Sequence, residues 1–269
     1  MVTRILHVSD LHVGARDDPI LEPALRTLVE RVAPHLVVAS GDLTHRGQPA
    51  EHERAAELLR SLDVALLAVP GNHDIPHAIP ARFSRPWEEF ERLWLTTEPT
   101  HESDSVVAIG LNSVRPWRHQ SGGLSAEQLT RAEARLRAAP PAKLRLVALH
   151  HQLVNAPWRT RKQPLARRGA ALSQLEAAGA ELVVSGHVHQ IAVAERHEFE
   201  VIDGDVAGSV LATAPGLGQP RPHRRGEARG ALAYRVDEHT IAADSYLWRD
   251  GDWRLTAVRT FSRGRASLD

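Results

Sequence analysis

Seven side chains in this sequence have the types and spacing to hold a pair of cations: Asp10, His12, Asp42, Asn72, His150, His187 and His189. They sit in five short motifs: Ser9-Asp10-Leu11-His12, Gly41-Asp42, Gly71-Asn72-His73-Asp74, His150-His151 and Gly186-His187-Val188-His189. In an extended chain, residues i and i+2 point to one face. Asp10 and His12 are therefore expected to grip one ion while Leu11 turns into the core. His187 and His189 repeat the pattern around Val188. Gly41, Gly71 and Gly186 each precede a candidate ligand, where a missing Cβ allows tight turns and close backbone approach. The donors are all oxygen or nitrogen, which suits Mn, Fe, Zn, Co or Ni and disfavours copper(I) or a cluster. Two carboxylates against two divalent ions leave a net positive centre, able to bind a phosphate oxygen and acidify a bridging water. Asn72 would coordinate without adding charge.

Each motif follows an apolar run, so the elements that position the donors can be read from the pattern around them. Ile5–Ser9, Leu36–Ser40 and Val64–Val69 read as strands, with helices over Pro19–Ala33 and Pro49–Leu62 between them. Asp17 or Asp18 is placed to cap the first helix. Trp87–Leu95 reads as a helix, Ser105–Asn112 as a strand, and Ser125–Ala138 as a helix whose Ser125 and Gln128 match a capping box. Lys143–His150 is a strand, Leu165–Ala178 a helix and Glu181–Ser185 a strand. This βαβ rhythm predicts a largely parallel sheet with its sites at the strand ends. After His189 the pattern becomes strand-rich: Ile191–Ala194, Val210–Ala214, Ala231–Val236, Thr240–Trp248 and Trp253–Thr260. These are expected to form a second, more antiparallel sheet. Residues 216–230 read as a surface loop, and Asp203-Gly204 as a hairpin turn.

The chain has 269 residues, 33 Lys plus Arg against 33 Asp plus Glu, 16 histidines and no cysteine. That length suits one large domain, 1–269, with the metal motifs inside 10–189 and a mainly β part over 190–262. Balanced charge gives no bulk field toward nucleic acid or anionic lipid, so stable nucleic-acid binding is not expected. The absence of cysteine excludes thiolate zinc sites, iron–sulfur clusters and cysteine nucleophiles. No run of about 18 apolar residues suggests a membrane span, and the opening residues suggest no signal peptide. A cytoplasmic enzyme is the expectation.

Together the motifs resemble the calcineurin-like metallophosphoesterases, whose pattern is D-x-H, G-D, G-N-H-[DE], H and G-H-x-H in that order. The resemblance runs from Asp10 to His189. It implies an α/β fold, a four-layer αββα sandwich of two mixed β-sheets flanked by helices. It implies that Asp10, His12 and His189 hold one metal, that Asn72, His150 and His187 hold the other, and that Asp42 bridges them. The ions would be two divalent or trivalent transition metals: Mn, Fe or Zn, with Ni or Co as further options. His73 would contact the substrate phosphate and protonate the leaving oxygen, or serve in phosphate binding alone, and Asp74 would orient it. A hydroxide bridging the metals would attack phosphorus in line. HVSDLH, GDLTHRG, PGNHD, LHH and GHVH look most like the class III cyclic nucleotide phosphodiesterases. That group often has prolines after the double histidine, where this chain has Gln152-Leu153. The expected substrate is a small phosphodiester or nucleotide such as 3',5'-cAMP. Rival readings are a broad phosphomonoesterase, a DNA exonuclease of the SbcD type, and a non-catalytic scaffold. The retained ligand set weighs against the last.

Other residues are open at this stage. One of His150 and His151 should coordinate, with the resemblance favouring His150. His151 and His45 then either reach the substrate or serve packing and solvent. His7 is expected to face a helix, and His52 to lie at the surface. Trp117, Arg118 and His119 share a loop that could stack on a base or pack internally. Arg159 to Lys162, with Arg167 and Arg168, form either a basic lid or a solvated face. The C-terminal strands could offer an edge to a homodimer.

Overall fold

In the computed structural model, residues 2–15, 18–158, 160–198, 208–218, 224 and 226–263 are described. The Asp203-Gly204 turn, Arg159, Asp17 and part of the 216–230 loop lie outside them. The strands are β1 (Thr3–Val8), β2 (Leu36–Ala39), β3 (Leu66–Ala68), β4 (Thr100–Glu102), β5 (Val106–Gly110) and β6 (Leu144–Ala148), followed by β7 (Leu182–Ser185), β8 (Ala192–Glu195), β9 (Val210–Thr213), β10 (Gly230–Val236), β11 (Thr240–Arg249) and β12 (Asp252–Ser262). The helices are α1 (Leu21–Val32), α2 (Pro49–Arg60), α3 (Ala81–Ser84), α4 (Glu88–Trp94), α5 (Ala126–Ala138) and α6 (Arg168–Ala177).

Alternation along the strands sorts side chains into layers. In β1, Ile5 faces the other sheet while Leu6 and Val8 face helices. In β5, Val106 and Ala108 point between the sheets, and Val107 and Ile109 point out toward α5 and α6. α1, α2 and α4 cover the first sheet with Leu25, Leu28, Leu59 and Phe90. α5 and α6 cover the second with Leu129, Leu136, Leu172 and Leu175. The result is the four-layer αββα sandwich. Ser125 accepts from the Gln128 amide, and Gln128 returns a bond to Ser125, so the predicted capping box forms. Such caps are worth about 1 kcal/mol. Asp18 Oδ1 accepts from the Ile20 amide just ahead of α1.

The strands after His189 do not make a sheet of their own. The orders are β12-β11-β10-β1-β2-β3 and β4-β5-β6-β7-β9-β8. β8 and β9 extend the second sheet, whereas β10 pairs antiparallel with β1 and carries β11 and β12 outward. Local apolar pattern reveals strands but not their partners, which is why the sequence reading merged these two groups. His7 also differs from expectation. It shares the inter-sheet face of β1, where its ring nitrogens meet Tyr234 Oη at 3.0 Å and Ser40 Oγ at 2.9 Å. Among the described residues, no helix is long and apolar enough to cross a membrane.

Candidate metal centre

All five motifs converge past the ends of β1, β2, β3, β6 and β7. They do so through strained backbone rather than extended chain. Asp10, His12, Asp42, His187 and His189 all have positive φ, between 48° and 76°. L-residues adopt that region rarely, and each instance costs on the order of 1–3 kcal/mol. The i, i+2 expectation holds for Asp10 and His12, which share a cluster, but not for His187 and His189, which fall in different clusters; the strands stop at Val8 and Ser185, and left-handed turns aim the side chains. The surrounding ladder pays that strain with backbone bonds, including Asp10 N to Gly41 O and His12 N to Asp42 O, both 2.9 Å. The glycines allow the packing. A Cβ on Gly71 would stand 2.1 Å from Asp42 N, and one on Gly186 would stand 1.8 Å from Ser9 Oγ.

Two clusters result. In the first, His12 Nε2 and His189 Nε2 are 3.2 Å apart, and His189 Nε2 is 3.0 Å from Asp10 Oδ1. Asp42 Oδ2 stands 3.8 Å from His12 Nε2. In the second, His150 Nε2 lies 3.1 Å from Asn72 Oδ1, 3.2 Å from His187 Nδ1 and 3.4 Å from Asp42 Oδ1. Asp42 therefore offers one oxygen to each cluster. Histidine and carboxylate donors bind zinc-like ions at about 2.0–2.2 Å, so donors at right angles around one ion stand roughly 3 Å apart, as these do.

Hydrogen bonds orient the donors. His150 Nδ1 donates to Ser40 O at 2.9 Å, and His187 Nε2 donates to Gln120 O at 3.1 Å. Each leaves its other nitrogen facing the cluster, the position a metal-bound imidazole uses to coordinate. Asp10 Oδ2 accepts from Ser9 Oγ at 2.7 Å and His187 N at 2.9 Å. Its Oδ1, and Asp42 Oδ2, are buried without a hydrogen-bond partner. Two orphaned carboxylate oxygens in a buried site are costly unless a cation completes them, so this donor set fits two ions.

The electrostatics agree. Burial alone would raise Asp10 and Asp42, but the adjoining histidines outweigh it and hold both carboxyls well below their usual range, chiefly His189 for Asp10 and His150 for Asp42. Burial keeps His12 and His187 neutral, as metal ligation requires. For His150, burial is overcome by the Asp42 carboxylate, which pushes it up to about 9. That proton marks a position where positive charge is favoured.

The remaining candidates separate clearly. His151 is fully buried, with Nδ1 at 2.9 Å from Ser113 Oγ, and its ring faces the His187 ring at 4.7 Å. His150, not His151, faces Asp42. His73 is half-buried at the open side, 4.8 Å ring to ring from His12, and stacks with His45 at 5.7 Å. Its Nδ1 donates to His45 O at 2.7 Å. Asp74 does not orient it. The Asp74 carboxylate instead accepts from Gly71 N, Leu43 N, Thr44 N and Thr44 Oγ, tying the Asp42 loop to the Asn72 loop. His52, expected at the surface, is buried with Nε2 on Asp74 O at 3.1 Å. Trp117 is 72% exposed, while His119 turns inward toward Asn72. Lys162 donates to His187 O, so part of the basic segment after the double histidine borders the centre. Sequence reasoning missed Ser9, Ser40, Ser113 and Gln120. The three serines immediately flank or face the motifs, but a serine is too common a residue to signal support of a ligand.

A buried oxygen and nitrogen donor set, divided around one shared carboxylate and opening onto histidines, is suited to holding two metal ions. Residues 3–191 match the family described as calcineurin-like phosphoesterase, and the chain belongs to that family. It is 26% identical over 211 residues to a "Probable cyclic nucleotide phosphodiesterase" of Vesicomyosocius okutanii, covering 74% of this chain and 83% of that protein. It is 34% identical over 159 residues to a "Probable glycerophosphodiester phosphodiesterase GpdQ" of Arcobacter nitrofigilis, covering 55% of this chain and 56% of that protein. Its fold is similar to a dimetal phosphatase of Danio rerio, with a TM-score of 0.67 at 15% identity, covering 97% and 99% of the two chains.

Proposed function

We propose that this chain hydrolyses small phosphodiesters, cyclic nucleotides such as 3',5'-cAMP among them, at a dinuclear centre. The observation that carries this reading is Asp42, whose two oxygens face two separate buried donor clusters. Asp10, His12 and His189 would hold one ion, Asn72, His150 and His187 the other, with Asp42 between them. Mn, Fe or Zn suit these donors, and Ni or Co are compatible. Two bound cations would supply Lewis acidity and would make water at the site more acidic.

The chain's own residues do the rest. The buried walls exclude bulk water, which strengthens every charge interaction inside. His73, with Nδ1 tied to the His45 carbonyl, presents Nε2 to the open side, where a proton it carries can pass to the departing alcohol oxygen. His45 supports it by stacking and through that carbonyl, and neutral His151 backs the second cluster. A diester preference is supported by the names of the two relatives. Cytoplasmic residence and action on small diesters rather than on stably bound nucleic acid belong to the same reading. A homodimer is supported by β12, an open sheet edge that exposes Leu255 and Val258.

The test is hydrolysis by protein stripped and reloaded with Mn, Fe or Zn. Bis-p-nitrophenyl phosphate is compared with p-nitrophenyl phosphate, then 3',5'-cAMP and glycerophosphodiesters. Faster turnover of diesters supports the proposal. Monoester turnover alone would replace it with a phosphatase, and no turnover with any metal would leave a scaffold.

A further inference from the structure

The second cluster leans on a segment that contributes no ligand. Residues 111–125, between β5 and α5, run along its outer side. Ser113 Oγ accepts from the backbone amides of His150 at 3.3 Å and His151 at 3.1 Å. His119 O lies 3.5 Å from His151 Nε2, and Gln120 O accepts from His187 Nε2. The His119 ring approaches Asn72 Nδ2, its nitrogens standing at 3.4 Å and 3.5 Å.

The two ends of an asparagine amide are nearly the same shape, so only their neighbours decide which end points where. At Asn72, Oδ1 stands 3.1 Å from His150 Nε2, which in turn stands 3.2 Å from His187 Nδ1. A flipped amide would turn N–H groups toward the cation position and leave an ion one donor short. We propose that His119 is a positioning residue for the second ion: its imidazole accepts from Asn72 Nδ2 and so keeps Asn72 Oδ1 turned into the cluster. This rests on the two-metal reading above. The geometry also explains why the loop is tightly specified. Gly122 has φ of +49°, and a Cβ there would stand 2.2 Å from Ser113 O and 2.5 Å from His151 Nδ1.

The experiment is a Co(II) titration of metal-free protein, reading stoichiometry and both affinities from the visible absorption of the bound ion. Wild type should take up two equivalents. His119→Phe, which keeps the ring but not the acceptor, should bind the first as before and the second about 10–100-fold more weakly, the usual effect of losing an outer hydrogen-bond partner. His119→Gln, which restores an acceptor, should recover most of that loss. If His119→Phe does not fold, His119→Ala, which removes the acceptor without adding bulk, is read by the same titration and carries the same expectation. Two unchanged affinities in His119→Phe, or equal losses in the Phe and Gln variants, would overturn the proposal. Wild type binding fewer than two ions would instead overturn the reading beneath it.

Discussion

The two clusters of the centre have the same donor chemistry but different foundations. The first stands on strand ends. Asp10 and His12 are bonded through their backbone to Gly41 and Asp42, and residues 217 and 218 donate back to Ser9 O and Asp10 O. Its carboxylate is fixed by Ser9 Oγ and the His187 amide. The second has such anchors too, Ser40 O on His150 Nδ1 and Gly186 N on His150 O, but its outer face also rests on loop residues His119 and Gln120. Only Asp42 belongs to both. One half of the site is thus part of the sheet framework, and the other half depends on a loop as well.

The largest effect should come from the shared residue. Asp42→Ala is expected to weaken both ions and to lower diester turnover by about 10³-fold or more, at the upper end for loss of one electrostatic stabiliser. Loss of one ion only, by metal analysis, would mean that the clusters do not share it. His73→Ala removes none of the seven proposed ligands. It should leave metal content intact and cut turnover of alkyl diesters by roughly 10²-fold, the scale of a lost general acid. Esters with a p-nitrophenolate leaving group should be much less affected, and equal losses on both substrates would confine His73 to phosphate binding. Ser9→Ala removes one of two donors to Asp10 Oδ2 and should weaken the first ion about 10-fold. A weaker second ion with an unchanged first would invert the comparison.

The smallest effect concerns the histidines behind the clusters. Burial lowers His7 and His151 to about 3 from an ordinary value of 6.5. The unfolded chain then binds more protons than the folded one between those values. The contribution of these two histidines to the stability of the metal-free protein should be fully present above about pH 6.5 and decline as pH falls toward 3. His151→Phe should flatten that decline by one residue's share, measured by urea unfolding across pH. An unchanged slope would mean that His151 titrates in the folded state.

Much of this was legible in the sequence because metal chemistry restricts residue types so sharply. Asp10 through His189 could be picked out because Asp, Asn and His recur after apolar runs at short, repeated spacings. The left-handed backbone that aims them could not, since a positive φ at Asp42 or His187 leaves no trace in residue type. Asp74 was named for its place in the motif, but its four donors show that it binds two loops together. His119 was singled out for a possible base contact, yet its inward turn depends on a loop path that no local pattern encodes. The merging of two strand groups into one sheet had the same origin, because β10 finds β1 across more than two hundred intervening residues.

That last pairing has a consequence for how the protein comes into being. β1 lies inside its sheet, with β2 on one side and β10 on the other. A ribosome releases β1 first and β10 only after position 230. At about 5–20 residues per second, one flank of β1 stays open for roughly 10–45 s. Through that interval the nascent chain carries an uncovered strand edge, prone to pairing with a neighbour. Asp10 and His12 follow β1, and every candidate ligand lies at or before His189, so the full donor set is synthesised before the strand that closes the open flank of β1.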